Sequence, residues 1–227
     1  METFHSNPQI QSIVSLSWAG YQISSNFDKP QPEILQINAS WIVPKVNTSA
    51  GDSYSSAWIG IGGQFDKTLI QVGTEHNSVN GREVYDAWYE LLPDYAVRLS
   101  DIQVFAGDKI ITSINLINSD TNEWNIQITD ATNGQAFNKN VFYNSTRLSG
   151  EWIVERPTVN NQISTLSNFG SITFTDSYAN VNHVIGTIGN FQYSQIHMTN
   201  SQGTLLTSVS SIGTNGSSFT VNYLAGG

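Results

Sequence analysis

Residues 55–90 read SSAWIGIGGQFDKTLIQVGTEHNSVNGREVYDAWYE and alternate like paired strands. Asp86, Trp88 and Glu90 fall two apart, so an extended strand projects all three from one side. Gln71 stands on the strand before them, and Trp58 on the strand before that. Carboxylates, an amide and indole rings gathered on one sheet face do not suit a sandwich core. They suit the floor of a cleft, where an amide can bind developing charge and a carboxyl can move a proton.

Other chemistries fall away on composition. The chain has no cysteine, which removes disulfides, thiolate nucleophiles and thiolate metal sites together. His5, His76, His183 and His197 are scattered without HExxH or comparable spacing, so they read as surface or satisfied histidines and no metal is expected. No GxSxG elbow supports a serine triad. Glycines 60–63 follow a strand, but no helix beginning Lys-Ser/Thr follows them, and they read as a turn rather than a phosphate cradle. Carboxylate and amide chemistry remains, with no cofactor.

The 227 residues suit a single β-sandwich domain spanning 1–227. Charged residues make up only 12% of the chain, against roughly 25% in ordinary globular proteins. Nine Lys plus Arg and four His limit the positive charge to about +13 in strong acid, so acid brings little self-repulsion. A net charge of −9 argues against nucleic acid. No run of about 18 apolar residues exists to cross a membrane as a helix. The N-terminal METFHSNPQIQSIV lacks the basic-then-apolar order of a signal peptide, so a leader is expected to have been removed or replaced in a secreted protein. Asn38, Asn47, Asn144 and Asn215 head Asn-x-Ser/Thr triplets that agree weakly with export. A monomer is the default expectation.

Strands are expected at 15–23, 34–43, 54–61, 68–74, 83–91, 97–99, 103–105, 109–118, 123–130, 135–143, 150–156, 171–175, 184–188, 195–198 and 219–224. Asn80-Gly81 marks a hairpin, since both residues tolerate positive φ. Only 161–169 looks like a short helix or an irregular excursion. Turn signals every 8–12 residues and the lack of a 3.6-residue period give an all-β chain of two packed antiparallel sheets.

Several segments in this order resemble the glutamic peptidases, the eqolisin family of pepstatin-insensitive acid peptidases. SSAWIGIGG at 55–63 is similar to the family's tryptophan-and-glycine strand, and TLIQVG at 68–73 to the strand carrying its catalytic glutamine, here Gln71. YDAWYELLPDY at 85–95 matches the segment with Asp, Trp and Glu at alternate positions. GEWIVE at 150–155 matches the segment bearing the catalytic glutamate, here Glu151. The resemblance spans roughly half the chain. It implies two stacked seven-stranded antiparallel sheets of the concanavalin A-like, lectin-like jelly-roll kind, and hydrolysis of polypeptides in acid. Gly62 and Glu75 stand where fungal members usually carry Asp, which bears on pH optimum and subsite preference.

Amide hydrolysis needs an activated water, an anion stabiliser and a proton for the departing nitrogen. Glu151 suits the first and third tasks as general base and then acid, and Gln71 suits the second through its N–H donors. Asp86, Trp88 and Glu90, with Glu75 and Trp58, are candidate substrate-binding or supporting residues. A glutamate with an ordinary pKa of about 4.3 is already ionised at neutral pH, so an acid optimum calls for a protonated partner, for which Asp86 and Glu90 are candidates. Glu155 and Arg156 read as an exposed pair near a strand end. Two rivals share the fold: a glycoside hydrolase pairing Glu90 with Glu151, and a carbohydrate-binding lectin-like module using the aromatics. The amide of Gln71 discriminates, because only the peptidase needs it.

Overall fold

Alternation becomes strand along nearly the whole chain. The protein, seen in a computed structural model that describes residues 10–227, opens with β1 Ile10–Ser15, β2 Trp18–Ser24, β3 Ile34–Ile42, β4 Ser56–Gly62, β5 Leu69–Val79 and β6 Arg82–Leu91. The middle holds β7 Val97–Arg98, β8 Lys109–Asn118, β9 Glu123–Asp130, β10 Ala136–Phe142, β11 Gly150–Glu155 and β12 Thr158–Val159. The last third holds β13 Gln162–Ile163, β14 Ser171–Val181, β15 Val184–Thr187, β16 Gln192–Met198, β17 Thr207–Val209 and β18 Phe219–Tyr223. His5 and positions 1–9 of the stretch read above for a leader lie outside the described residues.

Two sheets stack as a sandwich. One runs β1-β16-β2-β11-β4-β5-β6-β7 and the other β10-β9-β8-β3-β14-β18-β17, with β15 also paired to β14. Each counts eight strands, the smallest being two-residue β7, and pairing is antiparallel except where β1 runs parallel to β16. Their facing sides interdigitate Tyr21, Ile59, Val72 and Trp152 with Ile37, Trp41, Ile114, Trp124 and Phe174, all buried. The core indoles are satisfied, Trp152 by the Asn38 carbonyl at 3.0 Å and Trp41 by Thr74 Oγ1 at 3.0 Å.

The first sheet is unusual in being buried on its other face too. All seven residues of β4 are buried, and so are the first five of β11. Beyond the core proper, Trp58, Leu69, Trp88, Ile153 and Ile196 form a second apolar cluster on that outer face.

Local expectations mostly match the strands, with two instructive departures. Residues 103–105 form no strand, because the Asp108 carboxylate accepts the Phe105 N–H at 2.7 Å and folds the segment into a turn. Residues 161–169 contain no helix. Asn160 and Asn161 take φ of 51° and 62°, which turns β12 directly into β13. The Asn80-Gly81 hairpin has the expected positive φ at both positions, 52° and 72°.

His76 lies wholly buried on β5, its Nε2 2.8 Å from Thr74 Oγ1, and its Nδ1 has no hydrogen-bond partner. Burial lowers its pKa to about 3. A depressed histidine leaves its contribution intact above the unfolded value of about 6.5 and withdraws it as pH falls toward 3. In urea titrations from pH 7 to 3, His76→Gln is expected to flatten the acid-side loss of stability, by about 1 kcal/mol per pH unit at most.

Candidate active site

Strand register gathers on one surface residues that are far apart in the chain. On the outer face of the first sheet, one row of directly opposed residues runs Ser194, Gln22, Glu151, Gly60, Gln71, Glu90. The next row runs Ile196, Gly20, Ile153, Trp58, Gly73, Trp88, Arg98. A third runs Trp18, Glu155, Ser56, Glu75, Asp86. All seven residues singled out from the sequence (Trp58, Gln71, Glu75, Asp86, Trp88, Glu90 and Glu151) therefore share this face.

Gly60 sets the geometry. It is the strand position between Glu151 and Gln71, and the Leu69 and Trp58 side chains fill the space that a side chain there would take. A Cβ there would stand 2.8 Å from Leu69 Cδ1 and 2.9 Å from Trp58 Cζ3. Two strand spacings, roughly 10 Å at the backbone, separate the carboxyl-bearing and amide-bearing residues.

Glu151 is fully buried, and neither carboxylate oxygen has a hydrogen-bond partner. Burial drives its pKa well above the ordinary value; the nearby Ser149 hydroxyl tempers the rise, and the Asp66 charge adds to it. Asp66 lies on the loop between β4 and β5, where Thr68 N, Thr68 Oγ1 and Thr146 Oγ1 all donate to it. Burial pushes the Asp66 carboxyl up, but these bonds outweigh it and hold the pKa below normal. A fixed anion thus stands near Glu151.

Gln71 is 4% exposed; its Nε2 donates to Glu90 Oε2 at 2.5 Å, while its Oε1 has no partner. Burial raises Glu90, and the bond from Gln71 partly offsets this. Gln71, Glu75, Trp88, Glu90 and Glu155 line a cavity of about 370 Å³, large enough for several side chains of a peptide. A hollow of about 490 Å³ beside Ile42, Pro44 and Gly107 is larger, but Lys45 is the sole ionisable residue in its lining. The carboxyls gather in the smaller one, though Glu151, fully buried, is not part of its lining.

At the far end of the cleft, Glu75 accepts from Asn77 Nδ2 at 2.6 Å and Asp86 pairs with Arg98, the one ion pair among the described residues. Burial raises both carboxyls; Asn77 tempers Glu75, and Arg98 tempers Asp86.

Glu155 corrects an expectation. It is not part of an exposed pair: Trp58 Nε1 donates to its Oε2 at 2.8 Å, and Arg156 turns away, buried, to donate to the Leu16 carbonyl. Burial raises Glu155 to about 7, against the pull of the Trp58 and Trp18 indoles, and the Glu90 charge adds to the rise. Its place in the site was readable from alternation, since it lies four residues after Glu151 on the same strand. The nearby Pro157 and Arg156 suggested a frayed, solvated end instead. Trp18, which meets Trp58 edge-on at 5.2 Å between ring centroids, was likewise taken only as part of a strand.

Trp58 fluorescence is expected to titrate with a midpoint near pH 7 as Glu155 ionises. The wild-type minus Glu155→Gln difference spectrum isolates that transition from the other five tryptophans.

The Peptidase A4 family matches residues 16–223. Among characterised proteins, the chain is 34% identical to aspergillopepsin-2 of Aspergillus niger over 130 residues, covering 55% of this chain and 45% of that protein. It is 31% identical to scytalidopepsin B of Scytalidium lignicola over 152 residues, covering 64% and 53%. The chain thus spans about half the length of these relatives. Among solved structures, scytalido-glutamic peptidase with a transition state analog inhibitor superposes with a TM-score of 0.77 at 21% identity, covering 92% of this chain and 99% of that one. The aspergilloglutamic peptidase from Aspergillus niger superposes with a TM-score of 0.67 at 28% identity, covering 76% and 99%.

Proposed function

The chain belongs to the Peptidase A4 family, and from that premise we infer that it is an endopeptidase hydrolysing polypeptides in acid, with Glu151 and Gln71 as its catalytic pair. The observation that carries this reading is the buried, unpartnered carboxyl of Glu151 opposite the amide of Gln71 across side-chain-free Gly60.

The reaction follows from those two groups. The Glu151 carboxylate takes a proton from water as the water oxygen adds to the scissile carbonyl. The Gln71 N–H donors bind the oxyanion that forms, and its free Oε1 accepts from the water. The protonated Glu151 then delivers its proton to the amide nitrogen, and the C–N bond breaks. Burial raises the Glu151 pKa, so in acid its carboxylate is the minor form; that form is a correspondingly stronger base, and the reaction runs through it.

The requirement for acid rests on Glu90. When ionised, Glu90 holds the Gln71 N–H group and sets a negative charge beside the forming oxyanion. Its protonation releases the amide and removes that charge. Burial raises the pKa of Glu90, which carries the protonated form to higher pH than an ordinary glutamate would.

Register also weighs against a glycosidase. Glu90 and Glu151 stand three strand spacings apart, about 14 Å at the backbone. An inverting pair needs about 6.5–9.5 Å and a retaining pair about 5–5.5 Å. Export from the cell is part of the proposal, in keeping with a composition that tolerates acid.

The test is cleavage of denatured casein and a quenched peptide library between about pH 2 and 7, the range in which carboxyls and histidine titrate. Activity in acid that resists pepstatin and chelators is expected, with losses of about 10³-fold or more in Glu151→Gln and about 10²–10³-fold in Gln71→Ala. Full activity in Glu151→Gln overturns the assignment. Glu90→Gln is expected to move the alkaline limb of the kcat/KM profile to higher pH, because the charge that switches the site off is gone.

A further inference from the structure

Glu151 is not the only unsatisfied group in its row. Gln22, directly opposite it on β2, is 1% exposed, and its Oε1 has no hydrogen-bond partner. Ser194, next along, is fully buried with an unpartnered hydroxyl. Three adjacent strands therefore present polar atoms without partners beside the proposed general base. An apolar side chain at position 22 would cost less, since a buried amide without its hydrogen bonds is destabilising by about 1–3 kcal/mol.

We propose that Gln22 is a positioning residue for Glu151, its amide N–H donating a hydrogen bond to the near oxygen of the ionised carboxyl and so directing the other carboxyl oxygen toward Gln71 and the attacking water. This rests on the reading of Glu151 as general base. Directly opposed residues on an antiparallel pair have Cβ atoms about 4.5–5.5 Å apart, within reach of a glutamine–glutamate hydrogen bond. The other acidic groups around Glu151 are engaged elsewhere: Asp66 with Thr68 and Thr146, Glu155 with Trp58, Glu90 with Gln71. The amide of Gln71 is reserved for water and oxyanion on the opposite side of the carboxyl. Gln22 supplies a donor on the near side. The far oxygen of Glu151 takes the proton from water and passes it to the leaving nitrogen, while Gln22 holds the near oxygen and exchanges no proton.

The experiment compares wild type, Gln22→Leu, Gln22→Glu and Glu151→Gln on a quenched peptide at about pH 3–4, below the ordinary glutamate pKa, with thermal midpoints measured alongside. Gln22→Leu is expected to lower kcat about 10–100-fold with KM little changed, while its Tm stays level or rises because an unsatisfied buried amide has been removed. Gln22→Glu, whose neutral carboxyl can donate its O–H in acid, is expected to recover most of that loss there. The proposal is overturned if Gln22→Leu keeps wild-type kcat while Glu151→Gln is inactive. It is equally overturned if Tm falls together with kcat, or if Gln22→Glu is no better than Gln22→Leu in acid. An active Glu151→Gln removes the general-base reading itself, and with it the role given to Gln22.

Discussion

Burying a carboxyl with neither oxygen hydrogen-bonded is costly, and the central strand β11 does so at Glu151. Much of the surrounding architecture follows from tolerating that group. A sheet whose second face met water would hydrate the carboxyl and return it to ordinary acidity. Here indoles and aliphatic side chains close over the outer face as a second apolar layer, and the β4–β5 loop is bound to Thr146 at its side. Gly60, between Glu151 and Gln71, leaves room for the Leu69 and Trp58 side chains in that layer. The cost is borne by a core of conventional sandwich type behind it, in which the large side chains are packed and the indoles are satisfied.

The same construction gives the molecule a direction on the pH scale. Glu75, Glu90, Glu151 and Glu155 all have raised pKa values, first because of burial. Groups of this kind contribute fully below the unfolded glutamate value of about 4.3 and lose that contribution as pH climbs through their raised values, near 7 for Glu155. His76 and Asp66, both with lowered pKa values, act in the opposite sense, two groups against these four. The cleft that is proposed to work in acid is also most at ease there.

Much of this was legible in the sequence because the side-chain period of a strand is two. Asp86, Trp88 and Glu90 could be put on one face without knowing what that face covered, and the Asn80-Gly81 turn fixed the register of β5 against β6. Pairing between distant strands was not legible. Nothing local says that Gln22 lies beside Glu151, or that Trp58 reaches Glu155, because those neighbours are made by the order β2-β11-β4 and not by spacing in the chain. Burial was equally opaque: β4 and β11 are covered on both faces, where alternation implies one wet side. Short-range polar competition accounts for the rest, as where Asp108 captures the Phe105 amide and stops a strand from forming.

Sheet order also governs when the site comes into being. β2, β4, β5, β11 and β16 bring the site's central row together from both ends of the chain, and β16 follows nearly all the rest in sequence. Non-local pairing of this kind is slow, since each long loop must close before its contacts stabilise it. No hairpin made early in folding contains both Glu151 and Gln71. On the proposed reading, a nascent or half-folded chain has no partial catalytic centre with which to attack its neighbours, because Glu151 and Gln71 share a sheet only once β11 joins β4 and β5.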